Sequence, residues 1–372
     1  MKVLFTIDTL QQGGAEQSIA NIIRHFSPDT SVSILYFYPK SDLLPLYQTL
    51  SCKVFSLNLP GKYNWIQGIR GMRKILREEN PDIVVTSLYR SNLISRIACM
   101  LSRKKLIGTF VDDPYNVERK NTFRGLGRIK YGITWLVDRL TSFICYAWIS
   151  NSSSIGKSNS EHLGISERRI KVIYRGRDTS QFPVWKPPQS EAFHFIAIGR
   201  LYEKKGYPEL LEAFTILKKK RPEARLNIYG EGAYRQQMET YIREHGLSAH
   251  ITLHGNVAGA WKHIYQAHCF VFPSRFEGFS GALVEAMMTG VPIISSDIPM
   301  NLEAVEHNNT ALVHRLRDAV DLADKMEYMM DHFDRMQKMG ERARNLAFEK
   351  YDIKSIARQY ERQLGDFIEG KI

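Results

Sequence analysis

Glu277 and Glu285 stand eight positions apart in the run Glu277-Gly-Phe-Ser-Gly-Ala-Leu-Val-Glu285. A strand closing at Phe272, a short loop and a helix over Gly281–Thr289 are expected around them, with Ser280 as N-cap and Gly290 just past the end. Loop N–H groups and a helix N-terminus then point at one spot, a site for phosphate or sugar oxygens. Glu285 falls about one and a half turns into that helix, and Glu277 lies in the loop before it. Carboxylates on both sides of a phosphate can hold two polyhydroxyl groups, which is what a nucleotide sugar presents: ribose, diphosphate, hexose. The plainer reading is a solvated helix acid and an ordinary loop acid, so the pair alone decides little.

A second run, Gly199-Arg-Leu-Tyr-Glu-Lys-Lys205-Gly206, follows a strand and precedes a helix. In a doubly wound sheet this crossover opens at the carboxyl ends of the strands, where ligands bind. Arg200 and Lys205 there could neutralise charge on a departing diphosphate. Taken singly, each could instead be a surface cation or a strand-end ion pair.

These residues need a scaffold of alternating strands and helices. Val3 to Ile7 is a strand, Gln11 to Gly14 a loop, and Ile19, Ile22, Ile23 and Phe26 one helical face. Further strands are expected at Val32 to Phe37, Ile83 to Thr86, Leu106 to Val111 and Phe143 to Ser150. A proline-bearing stretch, Thr179 to Ala192, reads as a linker. The pattern restarts with strands at Phe193 to Ile198, Leu226 to Tyr229, Cys269 to Phe272 and Val291 to Ser295. Helices dominate from Asp318. Such alternation is an α/β signature. Two Rossmann-like domains are expected: 1–182, with an amphipathic C-terminal helix within 353–372 packing back on it, and 183–352.

Bulk properties agree. The chain has 372 residues, 44% hydrophobic and 24% charged, enough for two packed cores. Its net charge of +12 favours anionic partners. Cys52, Cys99, Cys145 and Cys269 show neither zinc spacing nor a disulfide framework, as in a reduced, cytoplasmic chain. The N-terminal apolar stretch is too short for a signal peptide, and no run reaches the roughly 18 apolar residues of a spanning helix.

The order and spacing of these motifs resemble the retaining glycosyltransferases of family 4, with the GT-B fold. The resemblance is carried by Gly199-Arg200-Leu201 with Lys205-Gly206, Ile228 to Gly232, Phe272-Pro273-Ser274, Glu277 to Ala286 and Gly290-Val291-Pro292. Gly13 to Glu16 and Ile173 to Asp178 match more sparsely in the first half. The resemblance implies two domains facing across a cleft and closing on a nucleotide-diphosphate sugar, with no metal or other cofactor. It implies that Arg200 and Lys205 hold the diphosphate, Glu285 the ribose and Glu277 the transferred sugar. Backbone amides near Phe279, Ser280 and Gly281 would help. Gly230 and Val257 would lie near the base, and Gly13 and Gly14 would let the first loop approach the phosphates. The implied reaction moves a hexose, with retention, to a glycan or lipid-linked acceptor, as in cell-surface polysaccharide synthesis. The attack is front-face, with the donor phosphate taking the acceptor proton.

One departure stands out. Family members often carry a histidine after the strand that here reads Leu106 to Val111, or after the Ile83 strand. Here those places hold Asp112-Asp113-Pro114 and Ser87. Asp112 or Asp113 is therefore a candidate for contacting the sugar or the acceptor hydroxyl, as a base; a loop-capping role is the alternative. The gap also keeps open a silent GT-B scaffold; a separate alternative is a GT-B enzyme that hydrolyses or epimerises a sugar nucleotide.

Between Arg119 and Val137 the chain has Arg119, Lys120, Arg124, Arg128 and Lys130, no acid, and interleaved apolar residues. This basic amphipathic segment suits peripheral contact with an anionic membrane surface on the inner face of the plasma membrane. The alternative is a helix with its apolar face in the core. No nucleic-acid module is found, so nucleic acid is not an expected partner.

Overall fold

A computed structural model describes residues 1–372, the Glu118 side chain excepted. Thirteen strands carry the chain: β1 (Lys2–Ile7), β2 (Ser31–Tyr36), β3 (Cys52–Ser56), β4 (Ile83–Ser87), β5 (Leu106–Phe110), β6 (Ala147–Ser150), β7 (Ile170–Val172), β8 (Phe193–Ile198), β9 (Ala224–Tyr229), β10 (Ile251–Gly255), β11 (Cys269–Phe272), β12 (Ile293–Ser296) and β13 (Leu312–His314). The α-helices between and after them are α1 (Gly14–Arg24), α2 (Leu44–Gln48), α3 (Trp65–Glu79), α4 (Tyr89–Ser102), α5 (Val117–Asn121), α6 (Leu126–Thr141), α7 (Ser153–Leu163), α8 (Tyr207–Lys220), α9 (Arg235–Glu244), α10 (Gly281–Thr289), α11 (Pro299–Leu302), α12 (Ala319–Asp331), α13 (Phe333–Tyr351) and α14 (Ile353–Glu369).

The chain forms two compact units, Met1–Gly176 with Ile353–Ile372, and Arg177–Asp352. The first holds a parallel sheet in the order β3-β2-β1-β4-β5-β6-β7. The second holds a parallel sheet in the order β10-β9-β8-β11-β12-β13. Helices on both faces explain why strands such as β4 are buried at every position and read as unbroken apolar runs. In each sheet the order reverses once, between β1 and β4 and between β8 and β11. Those are the topological switch points, where a crevice opens at the carboxyl ends.

In the first unit Phe5, Ile34, Val85 and Ile107 meet Ile19, Ile22 and Ile23 of α1. Ile356, Tyr360 and Leu364 of α14 join the same core, so the chain's last helix packs beside α1. The Tyr360 ring lies 6.3 Å from both Phe5 and Phe26. The second core gathers Phe195, Ile228 and Val271 under Leu210 and Phe214 of α8 and Met326 of α12.

Four sequence expectations change. The division falls at Gly176 and Arg177, ahead of the 182/183 boundary. The 179–192 stretch belongs to the second unit: Phe182 and Trp185 are buried, Trp185 Nε1 donates to the Ala267 carbonyl at 3.0 Å, and Arg344 Nη2 donates to the Phe182 carbonyl at 2.7 Å. It lacks periodicity because it is an irregular strap pinned by side chains. The strand expected from Phe143 begins only at Ala147, after a 3-10 turn at Ser142–Ile144 on which Phe143 is exposed. The strand expected from Val291 starts at Ile293, because Pro292 has no N–H for the ladder. No helix among the described residues is long and apolar enough to cross a membrane.

Candidate functional site

The second unit's switch point is built from the loops after β8 and β11. The loops are laced together: Arg275 N donates to the Lys204 carbonyl at 2.9 Å. Gly206 has φ +75°, and a Cβ there would run into the Pro273 carbonyl, so only glycine lets the loops close this far. Across the same crevice Lys205 Nζ meets Glu277 Oε1 at 2.5 Å, both side chains largely shielded from water. Tyr207, buried at the start of α8, donates its hydroxyl to the Gly199 carbonyl at 2.9 Å. Burial, and then the charge of Glu277, push that phenol's pKa up, which keeps it a donor.

Helix α10 starts at the rim of this crevice. Ser280 stands at its N-cap position, but its hydroxyl makes no capping hydrogen bond. The leading N–H groups therefore lack that side-chain acceptor and suit an anion. Phe279 is buried edge-on to Tyr351 at 5.3 Å, which anchors the loop. Over the helix's first turn lies Arg177, whose Nη2 fills the space a Cβ on Gly281 would need. Arg177 Nε donates to Glu285 Oε1 at 2.7 Å. Each of the two predicted acids is held by a cation: Glu277 by Lys205, and Glu285 by Arg177.

Reading the sequence did not single out Arg177 for a role, although it lies within the Ile173–Asp178 run; its signal would have been a cation at a position fixed by backbone pairing, since Arg177 N donates to the Tyr351 carbonyl at 2.9 Å. Arg200 follows β8, exposed, with its guanidinium 5.5 Å from the Tyr202 ring and outside the Lys205–Glu277 pair. Gly230, with φ +145°, ends β9 against the Gly199 carbonyl and so keeps the β8 and β9 loops in contact. Val257 follows β10, the next strand out. Beside them Tyr229 stacks on His254 at 4.2 Å and on His263 at 4.6 Å. Burial, and then His263, lower the His254 pKa. The sequence reading missed the stack because the three rings come from separate elements.

The first unit's switch point is different. Gly13 is the extended N-cap of α1, and the Glu16 carboxylate folds back against it. Arg175 Nη1 lies 3.2 Å from where a Gly14 Cβ would be. Asp8, at the end of β1, accepts from Ser91 N at 2.7 Å across the switch point. Burial raises the pKa of Asp8 against the opposing effect of Ser91 and Arg90. Burial, and next the charge of Asp8, raise that of Glu16. Neither acid was predicted. Asp112 is not brought into this group: its carboxylate pairs with Arg119 at 3.1 Å, half exposed, on the loop after β5. Asp113 is committed to structure, accepting from Tyr115 N at 3.0 Å and from Ser158 Oγ at 2.6 Å. Ser87 shares a hydrogen bond with Thr109 at 2.8 Å. Among the described residues no group of three or more His, Cys, Asp and Glu side chains is arranged to hold a metal.

Comparison with known proteins gives this geometry a family. The model of glycosyl transferases group 1 matches residues 181–346, and that of Glycosyltransferase Family 4 matches residues 12–181. An uncharacterized glycosyltransferase of Methanocaldococcus jannaschii is 25% identical over 237 residues, a match covering 60% of this chain and 57% of that protein. The lipopolysaccharide 1,6-galactosyltransferase of Escherichia coli is 23% identical over 312 residues, 80% of each chain. Among solved structures, Anabaena HepE in complex with UDP superposes with a TM-score of 0.82 at 18% identity, covering 98% of this chain and 100% of that one. Two parallel α/β units, two family models placed end to end along them and a fold match over nearly the full chain lead to one conclusion: this chain belongs to the GT-B glycosyltransferases.

Proposed function

We propose that this chain transfers a hexose-type sugar from a nucleotide-diphosphate sugar to a glycan or lipid-linked acceptor, with retention, in the synthesis of a cell-surface polysaccharide, working from the inner membrane face. The observation that carries the reading is the double ion pair at the second switch point, Lys205–Glu277 and Arg177–Glu285, set beside the N-terminus of α10. Each pair can be exchanged for ligand: ribose hydroxyls for Arg177 at Glu285, sugar hydroxyls for Lys205 at Glu277. The released cations and the helix dipole then face the diphosphate.

In the reaction the acceptor oxygen bonds to the anomeric carbon on the face from which the diphosphate leaves. The breaking bond's electron pair departs with the diphosphate, and the acceptor proton passes to a donor phosphate oxygen. Arg200, Lys205 and Arg177 neutralise the leaving charge, doing what a divalent ion does elsewhere. The UDP in the HepE complex and the lipopolysaccharide acceptor named for the Escherichia coli relative support this class of donor and acceptor. Asp112, at the surface beside Arg119, is proposed as an acceptor-side contact.

Product analysis tests the reading. UDP-, GDP- and ADP-sugars are incubated with and without lipid-linked acceptors, and the anomeric configuration of the product is read by NMR. Acceptor-dependent product with the donor's own configuration is expected. Free sugar or altered donor without acceptor would instead indicate hydrolysis or epimerisation, and donor left untouched under all conditions would indicate a scaffold.

A further inference from the structure

A second set of charges joins the two segments that the Lys205–Glu277 pair bridges. Arg275 stands two residues before Glu277, on the loop after β11. Its guanidinium reaches back to the acids on either side of Lys205. Nε and Nη2 lie 2.8 and 2.7 Å from Glu209 Oε1, in the first turn of α8. Nη1 lies 2.9 Å from Glu203 Oε1, on the loop after β8. The Arg275 N–H is bonded to the Lys204 carbonyl, so this one residue grips the Glu203–Glu209 segment by side chain and backbone together.

Burial sets this cluster apart from a surface pair. The Arg275 side chain is 15% exposed and that of Glu209 9%, against 64% for Glu203. Glu209 Oε2 is buried and makes no hydrogen bond among the described residues, so Arg275 is what balances this carboxylate. Taking the cation away would leave a buried, uncompensated charge. The loop that carries Arg275 is itself anchored. Ser296 Oγ of β12 donates to the Ser274 carbonyl at 2.5 Å, and Ser274 Oγ donates to the Phe276 carbonyl at 3.1 Å.

Lys205 lies between Glu203 and Glu209 in sequence. Either acid, left unpaired, could draw the ammonium away from Glu277. Arg275 engages both, and a guanidinium suits the task because its planar fork meets two carboxylates at once. We propose, resting on the donor-site reading, that Arg275 is a positioning residue: by holding Glu203 and Glu209 it fixes the spacing of the two segments and leaves Lys205 to Glu277. Arg275 acts through Lys205 and Glu277 and needs no contact with the nucleotide sugar.

The test reads the lysine directly. The full chain is produced with isotopic nitrogen in its lysines, and the Lys205 ammonium resonance is identified by its loss in Lys205→Arg. In the wild type this group should exchange slowly with water, because it is shielded and ion-paired. Glu277→Gln should remove that protection. Arg275→Met combined with Glu209→Gln, which leaves no buried charge unbalanced, should remove it too and weaken nucleoside-diphosphate binding about tenfold. Arg275→Lys keeps a charge for Glu209 but loses the fork. It should recover part of both, and it decides the matter if the double variant does not fold. The proposal is overturned if the wild-type ammonium is unprotected, or if either variant, folded, keeps wild-type protection. The lysine signal is read without nucleotide, so the two readings fail separately. A wild type that binds no nucleotide contradicts the donor reading, and the signal alone then decides whether Arg275 positions Lys205.

Discussion

The two switch points share one topology and differ in how charge is held there. In the first unit the crossing is made by a buried acid, Asp8, bound to a backbone N–H at the start of α4, with Glu16 close by and the pKa of both raised. In the second unit it is made by cation–carboxylate pairs, Lys205–Glu277 and Arg177–Glu285, beside a helix N-terminus without a side-chain cap. In the proposed reading the second trades its internal ion pairs for a polyanionic, polyhydroxyl ligand. The fold supplies two crevices, and the side chains give each a different charge arrangement.

The contrast can be broken at the second crevice by removing its anchor. Phe279→Ala deletes a fully buried ring packed on Tyr351 and should cost about 3–5 kcal/mol, read as a lowered denaturant midpoint. Lys205→Met should weaken nucleoside-diphosphate binding about ten- to a hundredfold, as for loss of a charged hydrogen bond, while binding of the uncharged nucleoside changes little. Arg177→Ala should weaken diphosphate binding about tenfold. If it tightened diphosphate binding instead, Arg177 would be only a competitor for Glu285.

The smallest effect sharpens the first crevice. A carboxyl whose folded pKa is raised contributes most stability below its unfolded pKa and loses it as pH rises through the folded value. Asp8→Asn keeps an acceptor for Ser91 N and removes the buried charge. It should therefore raise the melting temperature at neutral pH, with the gain shrinking as pH falls from the raised folded value toward the ordinary aspartate value. A constant difference between the raised folded value and the ordinary aspartate value would show that Asp8 titrates alike in the folded and unfolded chains, so that its pKa is not raised by folding.

Much of this was legible in the residues. The strand runs and the motif order pointed to two α/β units, and α10 spans the residues expected of it, Gly281–Thr289. Gly206 and Gly230 were legible as parts of motifs, while the tight loop crossings they permit emerge only from the structure. Less was legible where a role depends on partners far away in sequence. Arg177 reaches Glu285, Tyr229 is stacked between two histidines, and Asp8 reaches Ser91, none of them through a local pattern. Helix α6 shows the same limit. Its amphipathicity was plain, but the direction of its apolar face is set by Arg96, which buries Asp138 instead. Strap residues 179–192 read as a linker because burial by side-chain anchoring has no period.

The most direct test of the central claim, that the second switch point is the donor site, is calorimetric titration of wild type and Glu285→Ala with UDP, GDP and ADP and their sugar conjugates. One diphosphate should bind the wild type. The variant should lose about ten- to a hundredfold in affinity, the worth of a charge-assisted hydrogen bond of about 1.5–3 kcal/mol. Equal affinity in both proteins, or no nucleotide binding to the wild type, would contradict it.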